Sequence, residues 1–309
     1  MRPKADPRMP PEQKMIKNCE IKVIAFDLDG TLLRDDKTIS ERTAGVLSEA
    51  AASGLIPVPV TGRPLSGIPE EVISIPGLRY VITSNGSVTT DASTGRILRS
   101  SLIDPDESLG ILDRILRRGL LYSVFAGGYG YTDHDTLRRI KEWYSSSPLY
   151  GYITKTRRET SDMETVLSRF GGAENIWIMA GDEKERDELD EELSGTMLRT
   201  VKTAPRDIEI GAVGADKGIA LRELCSSLGI DKKQILALGD SDNDRGLASE
   251  SGTFAAVANA SEDILRRASF VTASNNSDGP ALVIESVLSD PEEYVGAGLL
   301  KKPLSELFI

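Results

Sequence analysis

The chain has 309 residues, 39% of them hydrophobic and 28% charged, a soluble globular balance in a length that suits two domains. Its formal charge of -11 is broken by no basic stripe, which argues against nucleic acid as a partner, because an acidic surface gains nothing from counterion release. A single histidine, His134, and two cysteines, Cys19 and Cys225, leave Ser-His-Asp hydrolysis, zinc sites and a disulfide framework without support.

Residues 1–19 are rich in Pro, Lys and Met, lack the apolar segment of a secretory signal, and read as a disordered tail. No later stretch is apolar enough to span a bilayer, so a cytoplasmic location and no membrane partner are expected. Ile21–Phe26 reads as a strand and Ser40 as the N-cap of a helix to Ala52, with Gly54 beyond its end. Strands follow at Ile56–Val60 and Tyr80–Thr83. The interval 86–205 is too long for a loop. It holds a helix opened by Asp104-Pro105 and stopped at Gly119, strands at Leu121–Phe125 and Asn175–Met179, and an acidic helix from Asp182 to Leu193. His134 falls in a polar run and reads as a surface turn residue. Asp216 then caps a helix to about Leu228, with Cys225 on its apolar stripe, and strands follow at Gln234–Leu238, Phe254–Ala258 and Phe270–Thr272.

The alternation predicts an α/β fold: a Rossmann-like parallel-sheet core from 20–85 and 206–290, an α/β domain inserted at 86–205, and a C-terminal tail at 291–309. Ligands of open parallel sheets bind beyond the carboxyl ends of the strands. Here those ends carry Asp27, Thr61, Ser84-Asn85 and Gly239-Asp240. In Asp27-Leu-Asp-Gly-Thr31, two carboxylates sit two residues apart before a glycine bend, suiting a nucleophile and a general acid/base; a plain Asp-Gly turn fits the string equally. Thr61-Gly62-Arg63 offers donors for phosphate oxygens, or Thr61 simply caps a helix. Lys217 opens a helix where an anion is favoured, or lies on the surface. Asp240-Ser-Asp-Asn243-Asp244 crowds carboxylates as Mg²⁺ requires, without the spacing of a calcium loop.

Together, in this order, the four pieces resemble the motifs of the haloacid dehalogenase-like superfamily. Thr83-Ser-Asn-Gly86, Asp216-Lys-Gly-Ile-Ala-Leu221, Ala258-Asn-Ala260 and Ser274-Asn-Asn-Ser-Asp-Gly279 resemble its Cof-like phosphatases, which carry a type IIB α/β cap between the second and third motifs. The resemblance implies a Mg²⁺-dependent phosphatase acting on a small phosphorylated metabolite through an aspartyl-phosphate on Asp27. It makes Asp27 nucleophile and metal ligand, and Asp29 general acid/base with its backbone carbonyl on the metal. Thr61 and Gly62 hold the phosphoryl group, and Lys217 supplies the positive charge an acidic protein needs there. Asp240 ligates the metal, Asp244 supports it from behind, and Asn243 touches phosphate or the surroundings of the nucleophile. Arg63 and Asn85 face the site.

Pro59, Pro64 and Arg245-Gly-Leu247 depart from the family pattern without removing a reacting group. The substrate is left to the cap, where Tyr129 and Tyr131 either face it or pair as aromatics. A phosphomutase, a phospho-acceptor module without need of Asp29, and a silent binding protein are the alternatives. A dinucleotide enzyme lacks its glycine fingerprint. The protein is expected to be a monomer or homodimer.

Overall fold

The computed structural model of the protein describes residues 21–193 and 197–289. The expected tails, and Cys19 with them, lie outside the described residues. The short apolar runs bounded by turn residues become strands. β1 (Val23–Phe26), β2 (Ile56–Pro59), β3 (Tyr80–Thr83), β4 (Val88–Asp91) and β5 (Arg96–Ser100) come first. β6 (Leu121–Ala126), β7 (Tyr129–Thr132), β8 (Arg157–Glu159), β9 (Asn175–Met179), β10 (Leu198–Lys202) and β11 (Asp207–Ala212) follow. β12 (Ile235–Gly239), β13 (Thr253–Val257) and β14 (Phe270–Thr272) close the series.

The core sheet runs β14-β13-β12-β1-β2, all parallel. Its strands are apolar on both faces because helices cover both. Ile24, Phe26, Leu236 and Leu238 pack on helices Glu41–Ala52 and Gly279–Ser289, while Val23, Ala25, Ile235 and Ala237 pack on helix Lys217–Ser227. Ser40 caps the first of these helices, its hydroxyl accepting from Thr43 N at 3.0 Å, and Cys225 is buried. The third apolar run departs from expectation. β3 meets the parallel sheet at one bridge, Val60 with Ile82, and otherwise pairs antiparallel with β4, because the chain turns straight back after Ser84-Asn85-Gly86.

The second domain is a sheet ordered β10-β11-β9-β6-β7-β8, antiparallel except between β7 and β8. Ile176, Ile178, Ile208 and Ile210 face helices Pro105–Arg117, Met163–Phe170 and Glu183–Leu193. This sheet shifts the expected domain limits. β4 and β5 extend β3, with Leu98 packed on the core, and β11 pairs with β9. The chain therefore crosses into the cap after β5 and returns after β11, rather than at 86 and 205. The crossings touch: a methyl group on Gly214 would lie 2.7 Å from Ser101 Oγ. Arg99 donates to the carbonyls of Gly86 at 2.6 Å and Gly214 at 2.7 Å.

His134 is not in a turn. It is the exposed first residue of helix His134–Trp143, capped by Asp133, and lies 2.9 Å from Glu159. Tyr131 pairs with Phe170 inside the cap, ring centroids 6.3 Å apart, and Tyr129 lies under the Arg158 guanidinium.

Candidate active site

Asp27 and Asp240 leave neighbouring strands β1 and β12 at the same edge of the core sheet. Oxygens of Asp27, Asp240 and Asp244 come within 4.8 Å of one another. Lys217, fully buried, donates to Asp27 Oδ1 at 2.6 Å and Asp244 Oδ1 at 2.7 Å. The lysine reaches them because its helix opens on Gly218, whose Cβ, if present, would stand 2.2 Å from the Gly246 carbonyl oxygen. The two helix starts therefore touch backbone to backbone. Asp216 caps this helix by accepting from Gly218 and Ile219 N–H.

Asp244 is fully engaged, its Oδ2 accepting from the N–H groups of Asp240 and Ser241. Asp27 and Asp240 each keep one carboxylate oxygen without a hydrogen bond among the described residues, Asp240 Oδ1 being held by Thr31 Oγ1 at 2.9 Å. Burial and neighbouring carboxylates raise the Asp240 carboxyl to about 6, and burial raises Asp27 against the opposing charge of Lys217. Burial lowers Lys217, but Asp244 and Asp27 outweigh it and keep the lysine charged. Three carboxylates against one ammonium leave two negative charges in excess. A divalent cation that takes two carboxylate oxygens fits this donor set, and Mg²⁺ is such an ion. Asp27 and Asp240 would hold it, with Asp244 orienting the lysine and the loop.

Gly30 adopts φ +84°, and a Cβ there would lie 2.5 Å from Asp240 Oδ2. Gly30→Ala is expected to displace that carboxylate and reduce divalent-cation stabilisation and turnover by at least ~10-fold. Thermal shift with and without Mg²⁺ measures the first effect; a variant stabilised by Mg²⁺ as much as the parent would refute it.

Asp29 faces elsewhere. Arg63 holds it bidentately at 2.6 and 2.7 Å, and Lys37 reaches Oδ1 at 2.9 Å. Burial pushes its carboxyl up, but these two cations prevail and take it down to about 2. Arg63 also donates to the Gly67 carbonyl and lies 4.9 Å from the ring centroid of Tyr152 of the cap. Thr61 Oγ1 accepts from Arg63 N at 3.1 Å, and its backbone N–H is taken by Ile82. Thr61 thus offers phosphate only its hydroxyl proton. The Gly62 N–H has no acceptor among the described residues. Asn85, at φ 55°, lies against Gly62 and accepts from Asn243 Nδ2 at 3.2 Å.

The expected residues fall into two groups: Asp27, Lys217, Asp240 and Asp244 in one, and Arg63 with Asp29, Thr61 and Gly62, and Asn85 with Asn243, in the other. Sequence reasoning missed Lys37, Tyr152, Glu174, Asn175 and Glu209. Glu174 joins the two domains, accepting from Ser84 Oγ at 2.7 Å and Gly128 N at 2.8 Å. Asn85 donates to Glu209 of β11. The alternation Asp207-Ile-Glu-Ile210 was the available signal for Glu209: a strand with one polar face.

Residues 24–284 match the family model of haloacid dehalogenase-like hydrolases. The chain belongs to this family. A putative phosphatase of Haemophilus influenzae is 30% identical, covering 85% of this chain and 97% of its own. The putative phosphatase YxeH of Bacillus subtilis is 28% identical, covering 86% and 98%. A solved haloacid dehalogenase-like hydrolase from B. subtilis superposes with a TM-score of 0.73 at 27% identity, covering 86% and 99%. Membership of the Cof-like phosphatases, and with it an enzyme of the phosphatase class, agrees with the motif reading. No helix among the described residues is long and apolar enough to cross a membrane.

Proposed function

We propose that the protein is a Mg²⁺-dependent phosphatase that hydrolyses a small phosphomonoester through an aspartyl-phosphate on Asp27. The observation that carries the reading is the buried Asp27–Lys217–Asp244 chain beside Asp240, with a carboxylate oxygen left free on Asp27. Phosphoryl transfer needs chiefly positioning and charge stabilisation. Asp27 attacks phosphorus in line, Lys217 neutralises charge on the transferring group, and the Thr61 hydroxyl and Gly62 N–H hold its oxygens. The bound metal supplies Lewis-acid stabilisation of the phosphoryl oxygens.

Asp29 protonates the leaving oxygen and then deprotonates the attacking water. Paired as it is with Arg63 and Lys37, it is set as the base. Acting first as the acid requires the substrate's anionic oxygens to draw Arg63 away. Tyr152, stacked on Arg63, couples that movement to the cap. Three B. subtilis relatives are named 5-amino-6-(5-phospho-D-ribitylamino)uracil phosphatases, at 26–27% identity, which supports a phosphorylated metabolite as substrate. Phosphate release from p-nitrophenyl phosphate in ¹⁸O-labelled water, with Mg²⁺ or with chelator, tests the reading. Mg²⁺-dependent release carrying solvent oxygen is expected; a phosphomutase would return the group to substrate without it.

A further inference from the structure

The polar face of the cap sheet holds two acceptors that its neighbours leave unused. Asn175 and Trp177 of β9 share a face with Asp207 and Glu209 of β11, opposite the isoleucines of the cap core. Asn175 is 2% exposed. Its Nδ2 donates to Glu209 Oε2 at 2.7 Å, and its buried Oδ1 has no partner. Glu209 Oε2 also receives the Asn85 amide, so both donors use one oxygen. Oε1 accepts nothing among the described residues. Glu209 is half-buried, and the buried acceptor without a donor is Asn175 Oδ1 beside it; such an acceptor is rare, and an incoming donor group accounts for it.

Their position says which group. Asn85 lies against Gly62 and is bonded to Asn243, so Glu209 stands one hydrogen bond beyond the residues assigned to the phosphoryl oxygens. Arg157, the cation on this face, lies 4.8, 5.0 and 5.8 Å from the ring centroids of Phe125, Tyr152 and Trp177 and donates to Thr156 and Ser123. Its charge is set against two carboxylates of the same face, Asp207 and Glu209, so the face is left with no cation in excess.

We propose that Glu209 and Asn175 form the leaving-group subsite, accepting hydrogen bonds from hydroxyl or amine groups near the ester and rejecting leaving groups with a negative charge of their own. The inference rests on the phosphatase reading and adds the residues that select the substrate. Glu209 in its other possible role only orients Asn85. Glu209→Gln separates the two: its carbonyl oxygen takes the place of Oε2 between the two amides, while the free oxygen becomes a donor.

The probes are ribitol 5-phosphate, rich in donors; 3-phosphoglycerate, anionic; and p-nitrophenyl phosphate, which has no donor. The parent is expected to favour ribitol 5-phosphate over 3-phosphoglycerate by about 100-fold in kcat/KM. Glu209→Gln and Asn175→Leu should each lower kcat/KM for ribitol 5-phosphate by about 10-fold, mainly through KM, and leave p-nitrophenyl phosphate within about threefold. A uniform loss on all three probes would place Glu209 behind Asn85 and overturn the subsite. A parent active on p-nitrophenyl phosphate but indifferent between the other two overturns the inference alone, and a parent inactive on all three overturns the phosphatase reading with it.

Discussion

Asp27→Asn is expected to lower phosphate release by on the order of 10⁴-fold while leaving the melting temperature unchanged or raised. The amide keeps the carboxylate's shape and can still accept from Lys217, but it is no nucleophile toward phosphorus. The stability arm follows from electrostatics. Burial raises the Asp27 carboxyl, with Asp244 and Asp240 adding to the rise, so its ionised form is disfavoured in the folded protein. Removing that charge relieves repulsion among three carboxylates. Phosphate release and differential scanning fluorimetry on the same preparation check both arms. Undiminished turnover would remove Asp27 from the reaction, and loss of activity together with a large drop in melting temperature would show only unfolding.

Lys217→Met has the opposite signature and the largest expected cost in stability. It deletes the one cation between Asp27 and Asp244 and leaves buried carboxylates unpaired, a change that costs about 3–5 kcal/mol when one partner of a buried pair is removed. The cost depends on pH. A carboxyl whose folded value lies above its unfolded one binds more protons in the native state, so stability falls as pH rises through the interval between them. For Asp240 that interval already runs from 3.8 to about 6, and loss of the Lys217 charge moves its upper end higher. The melting-temperature deficit of Lys217→Met should therefore be larger at pH 8 than at pH 5, and Mg²⁺ should restore part of it at pH 8. A deficit equal at both values would mean that the lysine matters for packing alone.

The core and its strand ends were legible because each apolar run stops at a residue with distinct chemistry. Asp27, Thr61, Asn85 and Asp240 follow runs too short and too β-branched to be helices. What lay outside that reading has little apolar signal. β8 is Arg-Arg-Glu, and only its pairing with β7 makes it a strand. β4 and β5 carry Thr-Thr-Asp and Arg-Ile-Leu-Arg, so the hairpin resembled the start of an insertion rather than a continuation of β3. Of the site residues that escaped, Glu209 and Asn175 on the cap reach the cleft through tertiary contact, and Lys37 meets Asp29 a short way along a polar loop that carries no periodic pattern. No local pattern ties Asn85 to a partner 124 residues away.

The adjacency of the two chain crossings has a mechanical meaning. Gly214 lies against Ser101, and Arg99 ties the returning segment to the Gly86 turn. The core therefore closes the same short gap whatever hangs between its ends, so its folding entropy is nearly indifferent to the length of the insertion. Arg199 of the cap strand β10 holds the same returning segment, donating to the Ala215 carbonyl at 2.7 Å and pairing with Asp216 at 2.8 Å, so two arginines fasten the junction where the chain re-enters the core.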